Sequence, residues 1–258
     1  MKEHYGIEVS SSAVRKLTEE HANKIAQWQP QEKVQDVELL IAEVDGSMVP
    51  IVELEEKTDG IDLRKKRKVC WKEAKLCFSR GHKKITKNYG AVIGSAEDLG
   101  KKLHECAKRT GFVDKKTYVH AIGDGAQWIV DQIDDQFGSQ AHFLIDFFHV
   151  CEYLAEASSW CDVLNSKGWL EEKKKMLKAG ESKKVFLEMK TRLAQLEDPP
   201  KENGLEKCVR YMGKRVEYMT YGQAKEKGLP IGSGEIESSH RHIGAEKVEN
   251  SWSLVENR

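Results

Sequence analysis

The stretch that most constrains the fold runs from Tyr118 to Ile129 and reads YVHAIGDGAQWI. It begins as a short apolar and β-branched run, which is typical of a buried strand, and a helical pattern follows over residues 126–137. Asp124 stands between the two, with a glycine on either side. A carboxylate at the end of a central strand, with no side chain on its neighbours, is open to a metal ion or a phosphate. The stretch therefore predicts a strand, an acidic turn and a helix in an α/β fold.

Asp124 has a second interpretation as a structural residue. Asp is a favoured N-cap, and Gln127 follows three residues later in the position of a capping-box partner. Asp124 is therefore either the cap of the following helix or part of a functional site. The choice depends on whether other carboxylates lie beside it.

Alternation of apolar and polar residues predicts four more strands. The five predicted strands cover residues 37–45, 48–54, 68–78, 117–123 and 141–146. Asp45-Gly46 is a hairpin signal between the first two. Asp45 is thus predicted to be either a turn residue or a second carboxylate at the end of the first strand.

Helical spacing and N-cap residues predict helices over residues 95–110, 126–137 and 147–161. Together with the strands they give the order β-β-β-α-β-α-β, which predicts a mixed sheet with helices on its faces. Residues 162–226 are rich in Lys and Glu, show helical patterns and carry no strand signal. We therefore predict a lead-in helix within 1–36, related to a helix-turn-helix or simply a surface helix, a core over 37–161, a helical insertion over 162–226 and a final segment over 227–258.

The composition indicates in which cellular compartment the protein works, but it says little about the function. Lys+Arg and Asp+Glu both number 42 among 258 residues, so net charge points to no partner. The six cysteines form no C-x-x-C pair, which argues against a zinc or disulfide framework and favours a reducing cytoplasm. No apolar run approaches the length of a membrane span. We expect a cytoplasmic protein with no membrane partner.

The charge changes sign sharply after the second predicted strand. Residues 34–60 hold eight acidic residues and one Lys, whereas residues 61–90 hold eleven Lys or Arg and two acidic residues. Such a block is either a solvated loop or a contact surface for the phosphate backbone of a nucleic acid. We predict that residues 64–87 contact DNA phosphates, and the residues singled out are Arg64, Lys65, Lys66, Arg67, Lys68 and, further along the chain, Arg241.

The last informative stretch is Gly232-Ser-Gly-Glu-Ile-Glu237, a tight turn that enters a helix with Ser233 as its expected cap. Glu235 and Glu237 lie about 200° apart around that helix, because each residue turns it by about 100°. Only one of them can face a common site. The pattern of apolar neighbours does not decide which.

These acidic residues fit one fold and one chemistry. In a ribonuclease-H-like fold the ends of strands one and four lie side by side, and a later helix brings a third carboxylate to them. Asp45, Asp124 and either Glu235 or Glu237 match that scheme. Clustered carboxylates repel each other unless divalent cations lie among them, and hard oxygen ligands suit Mg²⁺. Two such ions about 4 Å apart can catalyse phosphodiester cleavage without a side-chain nucleophile.

Three motifs in order resemble those of the DDE transposases of bacterial insertion sequences, in the ISKra-like or ISLre-like groups. They are Gly123-Asp-Gly-Ala-Gln-Trp-Ile129, Asp146-Phe-Phe-His149 and Gly232-Ser-Gly-Glu-Ile-Glu237, and the similarity extends over residues 37–245. The resemblance implies that Asp45, Asp124 and Glu237 are the catalytic, metal-binding triad. It also implies that Asp146 and His149 form an accessory site.

The same resemblance implies the rest of the functional expectation. The enzyme would cleave and transfer DNA strands with two Mg²⁺ ions, which Mn²⁺ can replace, and would act as a homo-oligomer on DNA. The chain ends 21 residues after Glu237, at Arg258, and its front segment is short, as in a truncated copy. The alternatives are an inactive remnant that at most binds DNA and a hydrolytic nuclease of the same fold.

Overall fold

The structure is a computed structural model, and it describes residues 10–27, 34–54, 67–197 and 200–239. The chain divides into two compact units. The first comprises Met1–Gln35, Met48–Lys72 and Ser239–Arg258, and the second comprises Asp36–Ser47 and Glu73–Ser238. The functional-site arguments below concern the second unit.

Five strands form one mixed sheet. Their bounds are β1 Leu39–Leu54, β2 Arg67–Gly81, β3 Asn88–Val92, β4 Tyr118–Gly123 and β5 Ala141–Ile145. The strand order across the sheet is β3-β2-β1-β4-β5. Strand β4 pairs in parallel with both β1 and β5, and β2 pairs antiparallel with β3. The predicted α/β class and the mixed five-stranded sheet are therefore confirmed.

Nine helices are seen in the described residues. They are α1 Ser11–Gln27, α2 Ala96–Thr110, α3 Gln127–Phe137, α4 Phe147–Cys161, α5 Ser166–Lys178, α6 Ser182–Ala194, α7 Gly204–Gly213, α8 Tyr221–Glu226 and α9, residues 234–239. Local sequence explains several of their ends: Ser95 and Asp98 form a reciprocal capping box before α2, and Gly111 takes a left-handed conformation after it. In the described parts of the chain, no helix has the length and apolarity needed to cross a membrane.

The hairpin predicted at Asp45-Gly46 is wrong, because β1 continues straight through these residues to Leu54. Gly46 has no positive φ, which a tight hairpin turn would require. Instead, a Cβ at Gly46 would overlap the carboxylate of Glu73 on β2. Glu73 could rotate away from such a Cβ. Because β1 is continuous, the third strand of the order β-β-β is β3, a five-residue segment that the sequence pattern did not predict.

Helices and a returning segment cover opposite faces of the sheet. On one face, α2 packs over β2 and β3, since a Cβ at Gly90 would lie 2.9 Å from Cys77 Sγ and 3.3 Å from Cys106 Sγ. On the same face, Ile129 of α3 lies within 3.3 Å of a Cβ built on Gly123. On the other face, His120 Nε2 is 2.8 Å from the Pro230 carbonyl oxygen. Residues 230–236 therefore cross the face opposite to α2 and α3.

The described residues of the predicted insertion, 162–226, form helices and turns. Their buried side chains join the core of the sheet domain, and the fully buried ones include Leu177, Val185, Leu205, Cys208 and Tyr221. Helix α7 approaches α4 so closely that a Cβ on Gly204 would overlap the carbonyl oxygen of Glu156. The insertion is thus packed as part of the domain.

Candidate functional site

Asp45 lies within β1, and Asp124 directly follows the neighbouring strand β4. The parallel register of β1 and β4 pairs Leu39 with Tyr118 and continues to Glu43 with Ile122. Asp45 lies two residues beyond Glu43 within β1, and Asp124 lies two residues beyond Ile122, directly after the end of β4. If the register continues past its last recorded pair, Asp45 and Asp124 are neighbours. Side chains alternate between faces with a period of two, so Asp45 is on the same face of the sheet as Glu43.

The side chain of Asp124 is used only in part by the fold. Its Oδ1 accepts a hydrogen bond of 2.8 Å from the Ala126 amide. Helix α3 has Ala126 as its N-cap without a side-chain cap, and Gln127 bonds Asp131 instead. The capping-box interpretation of Asp124 is therefore wrong. Within the described chain, no hydrogen bond engages Asp124 Oδ2, which leaves that oxygen to serve as a ligand.

The backbone of this acidic turn is fixed by the helical insertion. Tyr211 on α7 donates its hydroxyl to the Asp124 carbonyl oxygen at 2.7 Å, and Arg215 Nε donates to the Gly125 carbonyl oxygen at 2.7 Å. The Arg215 guanidinium also lies 4.5 Å from the centre of the Tyr211 ring. Burial raises the pKa of Tyr211, so its hydroxyl stays a donor. Gly125 has a φ of 82°, which favours glycine at this position.

Asp146 is a buried structural acceptor in this structure. Its Oδ1 accepts from the His149 amide at 2.8 Å and so caps α4. Its Oδ2 accepts from the Ser233 amide and, at 2.5 Å, from the Ser233 hydroxyl. Both oxygens of this fully enclosed side chain are engaged. The structure thereby connects the second and third sequence motifs through one carboxylate.

The ring of His149 does not bond Asp146. The imidazole packs against Tyr153 and Tyr211, and its Nδ1 lies 3.4 Å from Glu152 Oε2. The predicted accessory pair therefore shares a backbone contact, and the two side chains serve different partners.

Glu235 and Glu237 have different environments. Glu235 accepts from Arg80 Nη2 at 2.6 Å and from Lys87 Nζ at 2.6 Å. Burial acts to raise the pKa of Glu235, but the hydrogen bonds from the two cations outweigh it and the pKa is lowered. Glu235 is thereby committed to β2 and the loop after it. Glu237, one residue beyond buried Ile236, is an exposed side chain.

Glu43 is a buried acidic residue that the sequence analysis did not single out. Its side chain is fully buried, its Oε2 accepts from the Ile236 amide at 2.9 Å, and its Oε1 has no hydrogen-bond partner in the described chain. Burial raises the pKa of Glu43 to about 8. A single acidic residue in an otherwise apolar strand, LLIAEV, was the available signal.

The predicted basic block divides into different roles. Arg80 and Lys87 bind Glu235, and Lys75 lies 2.8 Å from Glu73. Lys68 is exposed near the start of β2, which begins at Arg67. The other predicted DNA-binding residues, Arg64, Lys65, Lys66 and Arg241, lie outside the described residues.

A metal centre is not assembled in the described part of the chain, where no three His, Cys, Asp or Glu side chains are arranged to hold an ion. The donor types still fit a divalent cation: Asp45 and Asp124 would supply hard oxygen ligands, and Asp124 Oδ2 accepts no hydrogen bond from the described residues. The metal triad Asp45, Asp124 and Glu237 stays a prediction.

The comparisons with known proteins identify a family but no activity. No curated protein matches this chain closely enough to count as a relative. The profile of an uncharacterised protein family, UPF0236, matches residues 3–253, which is nearly the whole sequence and includes all three motifs. The chain therefore belongs to the uncharacterised protein family UPF0236.

Proposed function

We propose that the protein is a DDE-type DNA transposase with a ribonuclease-H-like core, which cleaves and transfers DNA strands in a metal-dependent reaction. The observation that supports the proposal is the parallel register of β1 and β4, whose last recorded pair, Glu43 and Ile122, precedes Asp45 and Asp124 by two residues each. Such a pair of carboxylates in adjacent parallel strands is what that fold requires. The strand order β3-β2-β1-β4-β5 is consistent with it.

The third carboxylate in this proposal is Glu237. The sequence alone left Glu235 and Glu237 open, and the resemblance favours Glu237. The ion pairs of Glu235 with Arg80 and Lys87 support the same choice, because a carboxylate that already neutralises two cations is a poor metal ligand. Helix α9 begins on the same face of the sheet as Glu43 and Asp45, since the Ile236 amide bonds Glu43.

In this proposal, different residues bind the metal ions, position the acidic turn and bind the DNA. Asp45, Asp124 and Glu237 would bind Mg²⁺ or Mn²⁺ through hard oxygen ligands. When bound, a pair of such ions supplies the activated water or DNA 3′-hydroxyl and stabilises the leaving oxygen. Tyr211 and Arg215 would hold the backbone of the Asp124 turn. Exposed basic residues such as Lys68 would bind the DNA backbone.

The decisive test is Asp124→Asn in a DNA-cleavage assay with Mg²⁺ and a substrate that carries the ends of the element. Asn keeps an oxygen for the Ala126 amide, and the Tyr211 bond is to the backbone, so the fold should be unchanged. We expect nicking and strand transfer to fall by several orders of magnitude. Glu237→Gln should have the same effect, and Glu235→Gln should retain the activity of the parent.

Two outcomes separate the proposal from its alternatives. Undiminished cleavage by folded Asp124→Asn and Glu237→Gln would overturn the triad. Metal-dependent cleavage without transfer to a target DNA would identify a hydrolytic nuclease. A parent chain that binds DNA but never cuts it, at any Mg²⁺ or Mn²⁺ concentration, would identify an inactive protein.

A further inference from the structure

The segment that leads into α9 is fixed to the sheet by buried acidic groups. Ser233 donates both its amide and its hydroxyl to Asp146, which lies at the end of β5. Three residues later, the Ile236 amide donates to Glu43 on β1. Between these two contacts, Glu235 forms its ion pairs with Arg80 and Lys87. Three of the five strands thus contribute an anchor at or directly after their ends or within them, namely β2, β1 and β5.

The capping of α9 is unusual because its acceptor comes from another element. A Ser at the start of a helix commonly accepts a bond from an amide in the first turn. Here the Ser233 hydroxyl donates to Asp146, and among the described residues no amide of the first turn donates to its oxygen. The Ile236 amide is shared between the Ser233 carbonyl oxygen at 3.1 Å and Glu43 Oε2 at 2.9 Å. Glu43 therefore supplies the side-chain cap of α9 from within the sheet.

Burial of the Glu43 carboxyl group lowers the stability of the fold, and its one hydrogen bond does not fully compensate for this loss. A buried carboxyl group with an unpartnered oxygen is less favourable than an apolar side chain of similar volume. The position lies in the centre of the sheet between buried Ala42 and Val44, where an apolar residue would fit. Groups that reduce stability in this way are characteristic of functional positions.

The position of Glu43 suggests what that function is. Glu43 precedes Asp45 by two residues on β1, and Ile236 precedes Glu237 by one residue on α9. Each residue turns a helix by about 100°, so a fixed Ile236 also fixes the direction of the Glu237 side chain. One hydrogen bond thereby joins the strand of the first proposed ligand to the helix of the third.

We propose that Glu43 is a positioning residue, which holds α9 against β1 and thereby sets the place of Glu237 relative to Asp45. This inference rests on the proposed function, in which Asp45 and Glu237 are ligands of the same site. The role requires a hydrogen-bond acceptor at this position and no negative charge. Gln should therefore replace Glu43, and an apolar residue of equal volume should not.

The experiment compares Glu43→Gln and Glu43→Met in the full chain. Hydrogen exchange of peptides that cover residues 233–239 reports the anchoring of α9, and kcat and KM for DNA cleavage report its consequence. In Glu43→Met we expect these amides to exchange about tenfold faster or more, because one anchoring bond is lost. We expect kcat to fall at least as much with KM unchanged, and both readouts to stay within about threefold of the parent in Glu43→Gln.

Gln132→Met is the matched control. Gln132 is also buried and polar, but it bonds Asp135 within its own helix, so its replacement should leave residues 233–239 unaffected. Glu43→Leu is a second apolar variant, which replaces the methionine variant if that one does not fold. Thermal unfolding of each variant shows that the comparison is made between folded proteins.

The proposal is overturned if a folded apolar variant leaves exchange at 233–239 unchanged, or if Glu43→Gln is as impaired as Glu43→Met. These results are distinct from a failure of the proposed function. Undiminished cleavage by Asp124→Asn and Glu237→Gln would remove the triad. The exchange measurement would still decide whether Glu43 anchors α9, because it does not depend on catalysis.

Discussion

The carboxylate of Glu235 accepts two hydrogen bonds from Arg80, 3.2 Å from Nε and 2.6 Å from Nη2. Both side chains are largely enclosed, with exposed side-chain fractions of 13% for Arg80 and 32% for Glu235. The pair ties α9 to β2, while the next acidic residue, Glu237, is exposed. Two glutamates separated by one residue thus lie in different environments, one in an ion pair with β2 and one exposed at the surface.

This separation predicts opposite effects for two equivalent substitutions. Glu235→Gln removes a charge from a partly buried ion pair, so we expect a loss of about 1–2 kcal/mol in the free energy of unfolding with cleavage retained. Glu237→Gln should change stability by less than about 0.5 kcal/mol and abolish cleavage. Urea unfolding and the cleavage assay measure the two effects. Equal stability losses in the two variants would contradict the assignment.

The contact between α4 and α7 predicts a strong effect at one glycine. Gly204→Ala places a methyl group on the carbonyl oxygen of Glu156, and a backbone oxygen cannot rotate away. We expect a cost of about 2–3 kcal/mol in the free energy of unfolding, because the two helices must separate.

Gly234→Ala is the matched control for Gly204→Ala. A Cβ at Gly234 meets no atom within 4 Å, and Ala is the better helix former at the start of α9. We expect it to be neutral or slightly stabilising. If urea unfolding gives the same change for both variants, the α4–α7 contact is not as close as described.

His120 predicts a pH dependence of stability. Its pKa is lowered from 6.5 to about 4, chiefly because burial disfavours the charged ring. Between pH 4 and pH 6.5 the unfolded chain binds a proton at His120 that the folded chain does not bind. The folded state therefore has its full stability, with respect to His120, above pH 6.5, and the free energy of unfolding decreases as the pH falls toward 4. At pH 4.5 the loss is about 2–3 kcal/mol.

His120→Gln tests this pH dependence because an amide can still donate to Pro230 but cannot titrate. Urea unfolding of parent and variant at pH 7 and at pH 4.5 gives the measurement. Between pH 7 and pH 4.5, the parent should lose about 2–3 kcal/mol more of its free energy of unfolding than the variant does. A difference that is constant with pH would show that His120 charges equally in both states.

The basic block predicts salt-dependent, sequence-independent DNA binding. Neutralising Arg64, Lys65, Lys66, Arg67 and Lys68 together should weaken binding to every DNA sequence alike. It should also reduce the slope of log K against log salt by up to about 4.5, since each of the five lost phosphate contacts removes about 0.9.

Binding titrations across a range of salt concentrations measure that slope. The control neutralises five exposed lysines on the helical insertion: Lys167, Lys175, Lys190, Lys201 and Lys214. If the control loses as much slope, the basic block has no special role and contributes to DNA binding only through its positive charge.

Local sequence determined most of the secondary structure. The Tyr118–Ile129 stretch was interpreted correctly as strand, turn and helix, because its periodicity changes from two to 3.6 at the glycines. The Ser95 cap was similarly local, since both partners lie within four residues. The prediction failed where a local signal served a distant contact. Asp45-Gly46 is a turn in sequence statistics, but β1 continues through both residues because it pairs with distant strands of the sheet.

Tertiary structure alone decided which acidic residues are neighbours and which are already committed. The sequence determined that acidic residues follow strands and enter helices, because those patterns repeat over a few residues. The parallel register of β1 and β4 joins residues 79 positions apart, such as Glu43 and Ile122, and the bond from Ile236 to Glu43 spans 193. No local pattern encodes such pairs. They arise when burial of the apolar faces brings distant segments together, and only then do Glu43 and Glu235 form the hydrogen bonds and ion pairs that hold α9 to the sheet.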